Sequence, residues 1–119
     1  MEQLQVNELP VIRRALEQYK KILDGLIKNE DPIVKINLFV EDLSKLSKQT
    51  SDLIQGMNGN KFQIVYDNKS FIYPAVSSYL KYLQESRKYI YDKLGAEPKL
   101  EFIDEEIKSA EIVLPKLSN

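Results

Sequence analysis

Residues 61–74 read KFQIVYDNKSFIYP, in which two short runs of β-branched and aromatic residues flank a polar turn. Phe62, Ile64 and Tyr66 alternate with their neighbours, the period-2 pattern that is typical of a strand. We therefore expect a β-hairpin over 61–73, closed by either a two-residue turn or a longer loop. Because an isolated two-stranded ribbon is marginally stable in water, its free edges are expected to pair with another chain.

Two helices are predicted before this hairpin. In residues 8–28, apolar side chains recur every three or four positions, which predicts an amphipathic helix. A narrower apolar seam at heptad spacing, from Ile36 to Met57, predicts a long helix over 32–56. A seam of this width favours packing against one or two other long helices.

Two further helices are predicted after the hairpin. Pro74 is expected to start a helix over 74–94, and heptad spacing predicts an acidic helix over 99–113 that Pro115 closes. The 119 residues then form a single domain, 1–119, of the mainly α class. The expected architecture is a four-helix assembly with two N-terminal helices, a small β-hairpin and two more helices. Its surplus apolar seam and open ribbon edges predict a homo-oligomer, which we expect to be a ring.

The composition argues against most catalytic chemistry. The chain has no histidine and no cysteine, which removes the commonest general base and the usual zinc ligands. Its four glycines form no phosphate-binding loop. Glu101, Asp104 and Glu105 could share a divalent cation, but a solvated acidic face with Asp104 paired to Lys108 is the favoured interpretation. We expect no enzyme activity, no cofactor and no metal.

Charge and hydropathy predict a soluble protein. The 17 basic and 18 acidic side chains nearly balance, so nothing in the composition demands a polyanionic partner. No basic-then-apolar leader precedes the first helix, and no apolar run is long enough to span a bilayer. The expected location is the cytoplasm, with no membrane association.

The order of motifs resembles the small subunits of tailed-phage terminases, in the short, mostly helical branch of that family. The resemblance covers about residues 9–100 and rests on a series of short motifs in order: Gly25-Leu26-Ile27, Glu30-Asp31, the long helix from Pro32, the strand pair around Asp67-Asn68-Lys69, Tyr73-Pro74, and Leu94-Gly95-Ala96-Glu97-Pro98. Several positions depart from the family pattern, since Asn-Gly is replaced by Asn68-Lys69 and Asn-Pro by Tyr73-Pro74.

The resemblance implies a non-catalytic, ring-forming adaptor for DNA packaging. Such an adaptor recognises viral double-stranded DNA and recruits the terminase large subunit, which carries the ATPase and nuclease. DNA-binding residues are then expected on the first helix: Arg13, Arg14, Lys20, Lys21 and Lys28. The ribbon is expected to supply the oligomer interface: Phe62, Ile64, Tyr66, Phe71 and Tyr73. The alternative is a helical interaction or regulatory module of a phage or mobile element that does not bind nucleic acid.

Overall fold

The computed structural model describes residues 3–28, 40–59, 61–94 and 100–118, and all regular structure within these ranges is helical. This confirms the mainly α class. A single 3-10 turn, Val6–Glu8, precedes the first α-helix. The α-helices in the described ranges are α1 (Leu9–Lys28), α2 (Val40–Gly56), α3 (Lys61–Asp67), α4 (Lys69–Leu94) and α5 (Leu100–Leu117).

The predicted β-hairpin over residues 61–73 is wrong, because this segment forms α3 and the start of α4. Val65, in α3, and Ile72, in α4, are fully buried although an odd number of positions separates them, so the buried side chains do not follow the period-2 pattern of strands. Phe62 and Ile64, which suggested a strand, are only partly buried. Packing of the helical stripe on the core therefore overrides the local β-propensity, whose contribution depends strongly on context.

Asn68 forms the junction between α3 and α4. Its side-chain amide donates a hydrogen bond to the carbonyl of Ile64 at 2.8 Å. Its own carbonyl accepts from the backbone N–H groups of Phe71 at 3.0 Å and Ile72 at 2.9 Å. These bonds satisfy free backbone groups at both helix ends. Pro74, predicted to start a helix, instead lies in the second turn of α4, where its missing N–H removes one backbone hydrogen bond.

Helix α1 occupies the centre of the structure. It packs along α2 on one side and against α4 and α5 on the other. Ile12, Ala15 and Leu16 are completely buried between these neighbours. The edge of the Phe71 ring in α4 meets the Tyr19 ring with their centroids 6.3 Å apart. A single central helix thus holds two outer groups of helices together.

Helix α2 carries the C-terminal part of the predicted heptad seam. Thr50, Leu53 and Met57 are buried, as the seam requires, while residues 32–39 of the predicted helix lie outside the described residues. Gly56 permits close contact with α3, because a methyl group in its place would overlap Cδ1 of Ile64. The seam therefore packs against α1 and the start of α3.

Helix α5 extends beyond the predicted end at residue 113. Pro115 does not close it, and the helix continues to Leu117. The reason is packing: Val113 is fully buried and Leu117 is 2% exposed, so the last turn belongs to the core. The proline removes one backbone hydrogen bond near the helix end, where a loss is tolerated more easily than in the interior.

The assembled helices form a flat slab. The principal extents are 42 × 40 × 23 Å, and the shortest corresponds to about two helix diameters. The Cα radius of gyration is 15.8 Å, against about 13.5 Å for a compact domain of this length. A slab of this kind leaves broad helix faces on its two sides.

Candidate functional site

A polar network joins three helices near the middle of the structure. Glu106 of α5 is 5% exposed. Arg14 of α1 donates to both carboxylate oxygens of Glu106, from Nε to Oε2 at 2.5 Å and from Nη2 to Oε1 at 2.7 Å. The hydroxyl of Tyr79, in α4, donates to Oε2 of Glu106 at 2.6 Å. The network fixes the rotation of α1, α4 and α5 relative to one another.

The network holds each member in one protonation state. Burial alone would raise the pKa of Glu106, but hydrogen bonds from Arg14 and Tyr79 lower it below its usual value. Burial and the bond to Glu106 raise the pKa of Tyr79, and the bond to Glu106 raises that of Arg14. None of the three groups is therefore tuned to exchange protons near neutral pH, which suits a structural role better than general acid–base catalysis.

Sequence reasoning missed this network, although a signal was present. Glu106 falls on the apolar stripe of α5, between Ile103 and Ala110. A carboxylate at a core-facing position is seldom buried without a partner. Its position therefore could have indicated a buried ion pair, but the sequence does not show that the partners are Arg14 and Tyr79.

A second buried ion pair ties the N-terminal turn to the end of α5. Nζ of Lys116 lies 2.9 and 2.8 Å from the two carboxylate oxygens of Glu8, and their side chains are 8% and 11% exposed. Oε1 of Glu8 also accepts the backbone N–H of Gln5 at 2.7 Å. No buried side-chain nitrogen or oxygen among the described residues lacks a hydrogen-bond partner.

We expect the Lys116→Ala variant to lose about 2 kcal/mol of folding free energy, because the Glu8 carboxylate loses its cation but keeps the hydrogen bond from the backbone N–H of Gln5. The loss should appear as faster amide hydrogen exchange in residues 4–8. Lys108→Ala, which removes an exposed lysine of the same helix, is the matched control and should change neither measurement. Equal effects in the two variants would contradict the structural role of the buried pair.

The residues predicted to bind DNA lie on two sides of α1. Arg13 donates to the side chain of Asn58 at 2.8 Å, beyond the end of α2. Lys20 donates to Asp24 at 2.6 Å, and Asp24 also accepts from Ser47 of α2. Hydrogen bonds from Lys20 and Ser47 lower the pKa of Asp24. Arg13 and Lys20 therefore both donate hydrogen bonds on the side of α1 that faces α2.

The other three predicted cations follow one line along α1. Arg14, Lys21 and Lys28 are spaced seven residues apart, which places them on the same side of the helix at intervals of about 10.5 Å. Lys21 and Lys28 are exposed, whereas Arg14 is neutralised by Glu106. We call Arg14, Lys21 and Lys28 the α1 basic line.

The residues predicted to form an oligomer interface on a ribbon contact other parts of their own chain instead. Phe62, Ile64, Phe71 and Tyr73 are partly buried and pack against the core of their own chain. Tyr66 is 38% exposed, and its hydroxyl oxygen accepts the backbone N–H of Leu4 at 3.2 Å. The ribbon edge on which this interface depended is absent from the described residues.

The acidic residues Glu101, Asp104 and Glu105 of α5 line one open cleft together with the cations Arg87 and Lys108. Nε of Arg87, in α4, donates to Oδ1 of Asp104 at 2.5 Å, so the partner of Asp104 is not the expected Lys108. In the described ranges, no group of three or more metal-ligating side chains is placed to hold an ion. Within the same ranges, none of the helices combines the length and apolarity that a bilayer crossing requires.

An open apolar cleft lies beside the N-terminal end of α1. Its volume is about 480 Å³, which is within the range of ligand-binding pockets. The described lining residues are Val6, Leu9, Pro10, Arg13, Met57, Gly59, Lys61 and Phe62. Sequence reasoning could not find it, because the cleft exists only where residues 61–62 begin a helix. We call it the α1–α3 cleft.

Comparisons with protein-family models, with curated proteins and with solved structures each found no match to this chain.

Proposed function

We propose that the protein is a non-catalytic helical adaptor that works by associating with copies of itself and with a further macromolecule. The observation that carries this proposal is where the polar and the apolar side chains of the protein lie. Among the described residues, the buried polar side chains Glu8, Ser47 and Glu106 bond to side chains of other elements, and Thr50 bonds to a carbonyl of its own helix, whereas large apolar side chains remain at the surface of a thin slab. Such a protein offers surfaces rather than a reaction centre.

The exposed apolar side chains are concentrated on α4 and α5. In the described part of these helices, the large apolar side chains that are about half exposed or more are Tyr82, Tyr89, Tyr91, Phe102 and Ile112. Aromatic residues are enriched at protein interfaces, and exposed apolar groups on a thin domain favour association. The α1–α3 cleft adds a concave apolar surface on another side of the molecule.

Self-association is tested by expressing a tagged and an untagged copy together and capturing the tagged one. We expect the untagged copy to be retained after extensive washing, because the two copies share one assembly. An otherwise identical experiment with the tag on an unrelated helical protein is the control. Recovery of the tagged copy alone would contradict the proposal.

A more specific candidate is the small subunit of a phage terminase, acting on double-stranded DNA and on the large subunit. The observation that favours it is the α1 basic line, since two exposed lysines per copy could contact phosphates and a ring would multiply these weak contacts. The family pattern also includes a strand pair. Residues 61–94 contain no strand, so this part of the resemblance does not support the candidate.

A gel-shift titration separates the DNA-binding adaptor from a module that binds proteins only. If the α1 basic line contacts DNA, we expect double-stranded DNA to bind at low salt, with an affinity that falls steeply as salt increases. The variant K21A/K28A should bind more weakly and with a shallower salt dependence. K45A/K48A, which removes two exposed lysines of α2, is the matched control. Absence of any shift at low salt would eliminate the terminase candidate.

A further inference from the structure

The α1–α3 cleft combines apolar walls with positive charge. Met57 and Phe62 form part of its apolar wall, and Arg13 and Lys61 also line it. The described lining residues include no carboxylate. Lys61 is exposed, so its charge can meet a ligand from solution. The Arg13 side chain is 38% exposed, but it already donates to Asn58 and its Nε lies 4.0 Å from Oε1 of Glu17, so it contributes less charge than Lys61. The cleft therefore suits an apolar group that carries negative charge beside it.

The start of α5 presents a group with this chemistry. The Phe102 ring is 67% exposed, although burial of an aromatic side chain is strongly favourable. Glu101 precedes it and Glu105 follows one turn later, and both carboxylates are exposed. Two other exposed rings have cations over them, since Lys69 lies over Tyr66 and Lys93 over Tyr89, and the Tyr82 ring stacks on Tyr79. We call Glu101, Phe102 and Glu105 the acidic knob.

We propose that the acidic knob of one copy inserts Phe102 into the α1–α3 cleft of a second copy, with its carboxylates facing Arg13 and Lys61. The volume of about 480 Å³ exceeds what one phenyl ring requires, so the methylene groups of the flanking glutamates can enter with it. Apolar burial supplies the affinity, and the complementary charges set the orientation of the docked copy. This interface rests on the proposed self-association and identifies its surfaces.

The knob and the cleft lie on different sides of α1. Arg13 reaches Asn58 beyond the end of α2, while Arg14 reaches Glu106 in α5. Lys116, near the end of α5, binds Glu8, which lies between the cleft residues Val6 and Leu9. Phe102 is at the other end of α5, about 21 Å from Lys116 along the helix axis. A copy therefore does not fill its own cleft. Because the two surfaces differ, a contact that repeats head-to-tail generates a ring or an open filament, and two copies that exchange knobs form a closed dimer.

A head-to-tail contact is tested with two complementary variants. Phe102→Ala removes the knob and leaves the cleft intact. V6E/K61E places negative charge at two exposed cleft positions and leaves the knob intact. We expect the dissociation constant of self-association to rise at least about thirtyfold in each variant, because a central aromatic anchor or its pocket is lost. Glu111→Ala, which truncates an exposed side chain of the same helix outside both surfaces, is the control and should assemble like the wild type.

Mixing the two variants gives the decisive result. The intact cleft of the F102A copy should accept the intact knob of the V6E/K61E copy, giving a one-to-one complex that grows no further. Circular dichroism checks that each variant is folded. Wild-type assembly that F102A leaves unchanged, or folded variants that remain separate when mixed, would overturn this interface while self-association stands. A wild-type protein that is itself monomeric would overturn both.

Discussion

Replacing Glu106 by alanine is expected to lower the free energy of unfolding by about 3 kcal/mol. The carboxylate is 5% exposed and accepts hydrogen bonds from Arg14 and Tyr79. Without it, the buried Tyr79 hydroxyl loses its acceptor and the guanidinium loses its counter-ion. The Arg14 side chain is 46% exposed, so water replaces part of the lost interaction and keeps the cost at the lower end of the range for buried pairs. Urea denaturation followed by circular dichroism measures the change.

Two comparisons make this expectation specific to the network. Glu111→Ala removes an exposed carboxylate elsewhere in α5 and should change the free energy of unfolding by less than about 0.5 kcal/mol. The triple variant R14M/Y79F/E106L removes all three polar groups together and should recover most of the loss, because no buried polar group is left without a partner. A Glu106→Ala variant as stable as the Glu111→Ala variant would contradict the role assigned to the network.

The network also predicts how stability depends on pH. Since the pKa of Glu106 is lower in the folded protein than its ordinary value of 4.5, its ionised form stabilises the fold at pH values above 4.5. This contribution decreases as the pH falls below 4.5 and is lost once the pH passes below the folded-state pKa. The wild type should therefore lose more stability than Glu106→Ala on acidification. Parallel curves for the two proteins would contradict the lowered pKa.

Replacing Val65 by aspartate is expected to destabilise the fold by about 4 kcal/mol. Val65 is completely buried in α3, so the variant loses apolar burial and places a carboxylate in the core. Tyr66→Asp should cost only about 1 kcal/mol, since Tyr66 is 38% exposed and loses one hydrogen bond, from the backbone N–H of Leu4. In a ribbon the order would be reversed, because Tyr66 would share the apolar face with Phe62 and Ile64. Chemical denaturation of both variants measures the two losses of folding free energy. A larger loss for Tyr66→Asp than for Val65→Asp would contradict the helical structure of α3.

The same segment shows what the sequence could and could not predict. Apolar spacing predicts the mainly α class and the bounds of α1, because α1 is long and its apolar stripe is regular. Around Asn68 the chain offers two periodicities, namely alternation at Phe62, Ile64 and Tyr66 and a helical stripe through Val65 and Ile72. Only the stripe continues into the core positions of α4, and this continuation depends on tertiary packing. The local pattern therefore favoured strands where the whole molecule favours helices.

Functional surfaces were harder to predict than helices. The basic residues of α1 are visible in the sequence, but the division between Arg13, which faces α2, and Arg14, which faces α5, is decided by the neighbours of α1. The α1–α3 cleft depends on Lys61 and Phe62 beginning a helix next to Met57. Its lining residues come from distant parts of the chain, so no local motif indicates it.

The mass of the wild-type protein in solution tests most directly whether it functions as an assembly. Light scattering coupled to size exclusion gives this mass without reference to molecular shape, and one copy weighs 13.8 kDa. We expect a mass corresponding to several copies that decreases on dilution as head-to-tail contacts dissociate. A mass of 13.8 kDa at every concentration would contradict the proposed adaptor.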